Sequence, residues 1–233
     1  MNTNNVKKYA PKARKAFIEA MSKQAAKYGI TKKKIEPAEQ KGDLVLIGDR
    51  PFPASVIKPR ERLVKRIEQQ GFDQVMEHVA YSWFNRLCAI RYMERKGFLD
   101  HGRRVLSATD GSAGVPQILE ECLDVELPGL DQAKVRELKL DGTKDEELYR
   151  ELLLAQCHAL HQAMPFLFEA VADESELLLP ENLTKTDSLI RDLVTSVPDE
   201  DWEHIEIIGW LYQFYISEKK DQVMGKVVKS EDI

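Results

Sequence analysis

DWEHIEIIGWLYQFYISEKKD, residues 201–221, decides how the rest of the chain is read. At 3.6 residues per turn, Trp202, Ile205, Gly209, Tyr212 and Ile216 fall in one row and Ile207, Trp210, Leu211 and Phe214 in another, leaving Glu206, Gln213 and Ser217 as a polar stripe. A helix this apolar needs cover on nearly every side. It is therefore expected at the centre of a core or between two bodies, with Trp202, Ile207, Trp210, Leu211, Phe214 and Tyr215 as candidate interdomain-interface residues. Pro198 suits a first helical turn, and Asp199, Glu200 and Asp201 suit the positive end of a helix dipole, so the pattern predicts a helix from Pro198 to about Val223.

Working outward, the same period recurs. Phe72, Val75, Met76, Val79, Ala80, Trp83, Phe84, Leu87 and Cys88 follow i, i+3, i+4, i+7 spacing across residues 72–96, and Gly97 stops them. Residues 1–30 read as a helix with Ala10, Ala13, Phe17, Ala20, Met21 and Ala25 inward, closed by Gly29. Further helices are expected at 60–70, 116–123, 131–138, 145–164 and 188–195, with Pro165 breaking the fourth of these. Only residues 43–57 depart from this pattern. Leu44 to Ile47, between Gly42 and Gly48, has strand length, and Ser55 to Ile57 beyond an Asp49-Arg50-Pro51 turn is its expected hairpin partner. The fold class expected is mainly α, a multi-helix bundle-like domain with a possible small β-hairpin.

Composition sets bounds on function. A chain of 233 residues with 43% hydrophobic content can bury a core. No run of eighteen apolar residues and no secretory leader is present, so no membrane span is expected, and three widely spaced cysteines suit a reducing cytoplasm better than a disulfide framework. The net charge of −5 hides a division: residues 1–104 hold 23 Lys and Arg against 11 Asp and Glu, residues 105–233 hold 11 against 28. Either the halves attract each other or they face different partners. A basic helical subdomain over 1–104 and an acidic one over 105–233 is one organisation, and a single domain is equally possible.

Lys8, Lys12, Lys15, Lys23 and Lys27, then Lys32, Lys33 and Lys34, then Arg60, Arg62 and Arg66 are the candidate DNA-binding cations, since charges at helical spacing can meet successive phosphates. A solvated or acid-facing surface is the competing reading. Cys157, His158 and His161 share a helix, but zinc needs more ligands than one turn supplies, and no partner motif accompanies Cys88 or Cys122. VLSATDGSAGVPQILE, residues 105–120, imitates a glycine-rich cofactor turn, yet no parallel-sheet pattern surrounds it, so it reads as a plain loop. No catalytic, cofactor-binding or metal residue is assigned.

Four blocks carry a resemblance: NNVKKYAPKARKAFIEA (4–20), YSWFNRLCAIRYMERKGFLDHGRRVLS (81–107), MPFLFEAVADESELLLPENL (164–183) and EIIGWLYQFYISEKKD (206–221). In this order they resemble the N-terminal region of PglX, the adenine-specific DNA methyltransferases of BREX phage-defence systems. The resemblance covers most of the chain up to about Asp221. It implies a following methyltransferase domain that binds S-adenosylmethionine, with double-stranded DNA and other BREX proteins as candidate partners. The Asn-Pro-Pro-aromatic loop that such an enzyme uses on a flipped adenine is absent here, so this segment is expected to be inactive alone, with no cofactor of its own. A stand-alone protein-interaction module with no DNA role is the alternative.

Overall fold

The 72–96 periodicity builds the central element. In the computed structural model, which describes residues 3–165, 168 and 173–217, the helices are α1 (Asn4–Lys27), α2 (Ile57–Gln70), α3 (Phe72–Lys96), α4 (Gln117–Glu120), α5 (Gln132–Asp141), α6 (Asp145–Ala163), α7 (Asp173–Leu177), α8 (Leu189–Ser196) and α9 (Glu206–Tyr215). One small antiparallel sheet, in the order β1 (Ala38–Lys41), β2 (Leu44–Ile47) and β3 (Arg50–Pro53), joins α1 to α2. The fold is mainly α with a small hairpin-built sheet, as the pattern implied.

α3 buries Val75, Met76, Val79, Ala80, Trp83, Phe84 and Leu87 along one side. α1 lies against it through Val6, Tyr9, Ala13, Phe17 and Met21, with Phe17 edge-on to Phe84 at 5.7 Å between ring centroids. α9 closes over the same ring: Tyr215 sits 4.3 Å from Phe84. Each such fully buried large side chain contributes roughly 1.5–3 kcal/mol relative to exposure. The buried apolar side chains, from Val6 to Tyr215, form one continuous cluster drawn from both charge halves.

The sheet corrects the sequence reading at its partner strand. The turns are the residue pairs Gly42-Asp43 and Gly48-Asp49, and the glycine alone takes positive φ (+62° and +58°), the pattern of a II′ turn. A two-residue turn places Arg50 opposite Ile47, so the partner of β2 is Arg50–Pro53, and Ser55 falls in a 3-10 turn, Ala54–Val56. Pro51 and Pro53 are tolerated because β3 is an edge strand. A third strand, Ala38–Lys41, is fully exposed and carries no apolar alternation that would mark it in the sequence. The sheet docks where α1 ends: Gly29 takes φ +70°, and a Cβ there would lie 2.7 Å from Ile47 Cγ2, so only glycine permits the approach.

Residues 198–206 also differ from expectation. Pro198 begins not a continuous helix but a 3-10 turn, Asp199–Glu203; His204 is extended (φ −117°, ψ 143°) and α9 starts at Glu206. Trp202 causes the break by turning fully into the core and donating its indole N–H to the Val197 carbonyl at 3.0 Å. The predicted continuation past Ser217 lies outside the described residues. The expected 116–123 helix is shorter, Gln117–Glu120, and passes into a 3-10 turn at Cys122–Asp124.

Candidate functional site

α9 is enclosed on one side only. Ile207, Leu211 and Tyr215, at i, i+4 and i+8, are buried against α1 and α3, and Trp202 is buried just before them. On the other side Ile205 is 57% exposed, Tyr212 46% and Trp210 37%, with Gly209 open between them. Trp210 stacks on half-buried Phe214 (centroids 5.8 Å, planes 20° apart), and Tyr212 leans on Tyr81 at 5.8 Å. Of the candidate interface residues, Trp202, Ile207, Leu211 and Tyr215 therefore belong to the core of this chain, while Trp210 and part of Phe214 face outward. Glu206, in the first turn of α9, is exposed and forms no ion pair among the described residues.

A charged hub that the sequence reading missed fixes where α9 begins. Arg91 has no exposed surface; its guanidinium donates to Glu94 at 2.6 Å, to Asp199 Oδ1 at 2.8 Å and to the Gly111 carbonyl at 3.0 Å. Asp199 also accepts both terminal nitrogens of Arg104 (3.2 and 3.1 Å) and lies 3.2 Å from Arg95 Nε. Glu94 in turn accepts the backbone N–H groups of Val105 and Leu106 and the Ser107 hydroxyl at 2.6–2.8 Å. Buried charges require such pairing, since an unpaired one costs several kcal/mol; the Arg91 Nε alone in this guanidinium finds no acceptor among the described residues. Its sequence signal is the i, i+3 spacing of Arg91 and Glu94 on α3.

The candidate DNA-binding cations fall into three groups. Lys8, Lys12, Lys15 and Lys23 are exposed along the outer face of α1, and Lys23 pairs with Glu19 at 2.7 Å. Lys8, Lys12 and Lys33 form no ion pair among the described residues. Lys27 pairs with Glu181, Lys32 with Asp73, Lys34 with Glu36 at 3.5 Å and Arg66 with Glu174 at 3.6 Å, while Arg62 is exposed on α2. Arg60 is turned inward: it is buried and donates Nε to the Tyr28 carbonyl at 2.8 Å and another nitrogen to the Glu36 carbonyl, tying α2 to the end of α1. Burial lowers its pKa, against the opposing pull of Glu36 and Glu61. Several of the cross-half pairs, Lys27–Glu181, Arg66–Glu174, Arg103–Glu121 and the Asp199 hub, join the basic half to the acidic one.

The glycine loop is packed against the hub. Gly111 takes φ +85°, and a Cβ on it would lie 2.8 Å from Asp199 Oδ2; one on Gly114 would lie 3.0 Å from the Ala108 side chain. Its close approach thus serves the chain's own carboxylate. On α6, His158 meets Glu176 at 2.8 Å and His161 meets the Phe168 carbonyl at 2.6 Å, so the two imidazoles engage different neighbours. Burial pushes the Cys157 thiol up to about 12 and raises Cys88 well above its ordinary value, which keeps both in the unreactive thiol form. Among the described residues no group of three or more His, Cys, Asp and Glu side chains is placed to hold a metal, and no helix is long and apolar enough to cross a membrane.

Comparison with known proteins places this geometry. The whole chain is 57% identical, over 244 aligned residues, to the adenine-specific methyltransferase BrxX of Escherichia coli O9:H4 (strain HS). Over 250 aligned residues and 97% of the chain it is 32% identical to the adenine-specific methyltransferase PglX of Lacticaseibacillus casei (strain Zhang). In both cases the chain spans only 20% of the relative's length. No family model matches it.

Proposed function

The chain is a homologue of the N-terminal region of the PglX adenine-specific methyltransferases, and from that premise we propose that it is the non-catalytic helical support of such an enzyme in a BREX phage-defence system. The observation that carries this reading is the division of α9: its inner row is complete within the chain, while Ile205, Trp210 and Tyr212 remain uncovered. An apolar face on a core helix is suited to a neighbouring body. The methyltransferase domain, with S-adenosylmethionine and the target adenine, is that body in this account.

Double-stranded DNA is the second partner proposed. α1 packs its apolar side on α3, α8 and α9 and holds Lys8, Lys12, Lys15 and Lys23 outward. A stripe of this kind can track phosphates without reading bases. Other BREX proteins are alternative occupants of the same face. One observation favours the competing reading, a protein-interaction module without a DNA role: several of the named cations already serve acidic groups of the chain itself.

Binding of the chain to random duplex DNA as a function of salt tests the DNA contact. Affinity falling with log salt at about −0.9 per phosphate engaged supports it, and no retention even at low salt removes it. Titration with S-adenosylmethionine tests the assignment of cofactor binding elsewhere. Stoichiometric uptake by this chain alone would contradict it.

A further inference from the structure

Gly209 sits in the interior of α9, a short helix, where glycine is a poor choice. Two local reasons usually account for such a residue, and neither holds. Its φ is not in the left-handed region, so its backbone conformation is open to any residue. Among the described residues, its two chain neighbours aside, a Cβ built on it meets nothing within 4 Å, so none of them needs the space. Gly29 and Gly111 show the contrast, since each combines positive φ with a neighbour under 3.0 Å from the added atom.

The space lies in the middle of the uncovered face. Ile205 is one turn before Gly209, Trp210 follows it, and Tyr212 is three residues on, all substantially exposed. By its place on the helix, Gly209 offers bare backbone in a surface notch flanked by an exposed isoleucine and two exposed aromatic residues. Helices approach most closely where one presents a small residue, and the interaxial distance of 8–10 Å is set by the side chains at the crossing. Trp and Tyr walls are the residue types enriched at the centres of protein interfaces.

We infer that a helix from the four fifths of the methyltransferase that this chain does not span crosses α9 at Gly209, seated between Ile205, Trp210 and Tyr212. This rests on the docking reading given above. The occupant follows from two observations: the relatives are about five times as long as the match, and the exposed Glu206, three residues before Gly209 on α9, is complementary to a helix with Lys or Arg flanking its apolar crossing point.

The test uses the complete methyltransferase that carries this segment, with a protease site introduced after residue 233, and the variants Gly209→Leu and Trp210→Asp. After cleavage, gel filtration reads the fraction of the N-terminal piece that stays with the remainder. The thermal midpoint of the chain alone is read in parallel. The inference expects wild-type pieces to co-elute, Gly209→Leu to separate them, and the same variant to leave the chain's own midpoint unchanged or higher. Pieces that separate for Trp210→Asp but stay together for Gly209→Leu would overturn the close crossing while keeping the docked face. A lower midpoint for Gly209→Leu in the chain alone would overturn it too, because the glycine would then serve this chain. Wild-type pieces that never co-elute would remove the docking reading, and this inference with it.

Discussion

Asp199 and Arg91 meet at 2.8 Å, carboxylate to a guanidinium with no exposed surface, across 108 residues of sequence. The contact fixes the 3-10 turn from which α9 departs, with Arg95 and Arg104 completing the grip. Asp199→Ala would leave Arg91 with Glu94 and the Gly111 carbonyl but remove its second charge partner. A loss of about 2–4 kcal/mol in urea unfolding is expected, given that charged hydrogen bonds are worth roughly 1.5–3 kcal/mol and broken buried pairs more. Asp199→Asn, which keeps an acceptor, should lose less.

Trp202 and Trp210 are eight residues apart and have opposite surroundings, buried and 37% exposed. Trp202→Ala in the chain alone should cost about 3–5 kcal/mol, as large buried aromatics do. Trp210→Ala should cost under about 1 kcal/mol there. Chemical denaturation of both variants checks the contrast.

Reversing Lys8, Lys12 and Lys15 to Glu should weaken binding to random duplex DNA and flatten its salt dependence, by about 0.9 in slope for each phosphate no longer engaged. The thermal midpoint should barely move, because these side chains are exposed. Arg60→Ala is the control with the opposite outcome: it should destabilise the fold by about 2–3 kcal/mol through two carbonyls left without their donor. Equal DNA affinity for the triple variant and wild type would remove the α1 face from the account.

Alkaline pH should destabilise the chain. Burial raises the Cys157 thiol to about 12 from an ordinary 9.0, and also raises Cys88, Tyr9 and Tyr149. Groups with raised folded pKa values contribute stability that is intact below the unfolded pKa and is lost as pH climbs toward the folded one. Between pH 9 and 12 the unfolded Cys157 thiol releases a proton that the folded chain retains, so stability falls by up to about 1.4 kcal/mol per pH unit from that group, and the other three act in the same direction. Urea midpoints at pH 8 and pH 10.5 measure this, and Cys157→Ala should reduce the slope.

The fold was legible where apolar periodicity was long. Residues 72–96 gave α3 to the residue, and Asp131 and Ser188 mark the N-caps of α5 and α8 through side-chain acceptance of backbone N–H groups. The failures lie where tertiary contacts decide. Two-residue turns shifted the partner of β2, and the core-facing Trp202 broke a helix that the apolar rows made continuous. The two rows at residues 201–217 could not say which side of α9 packs inward: packing assigns Ile207 and Leu211 inward and Trp210 outward. Arg60 lay within a basic run yet turned inward, because two backbone carbonyls converge on its guanidinium, an arrangement with no local sequence signature.

In the complete methyltransferase a neighbouring body should cover the outer face of α9. Radical footprinting of Trp210 and Tyr212, compared between this chain alone and the complete methyltransferase that carries it, tests it most directly. Both residues should be modified readily in the chain and be at least several-fold protected in the complete protein, with Trp202 protected in each. Equal modification of Trp210 and Tyr212 in the two proteins would mean that no neighbouring body covers this face.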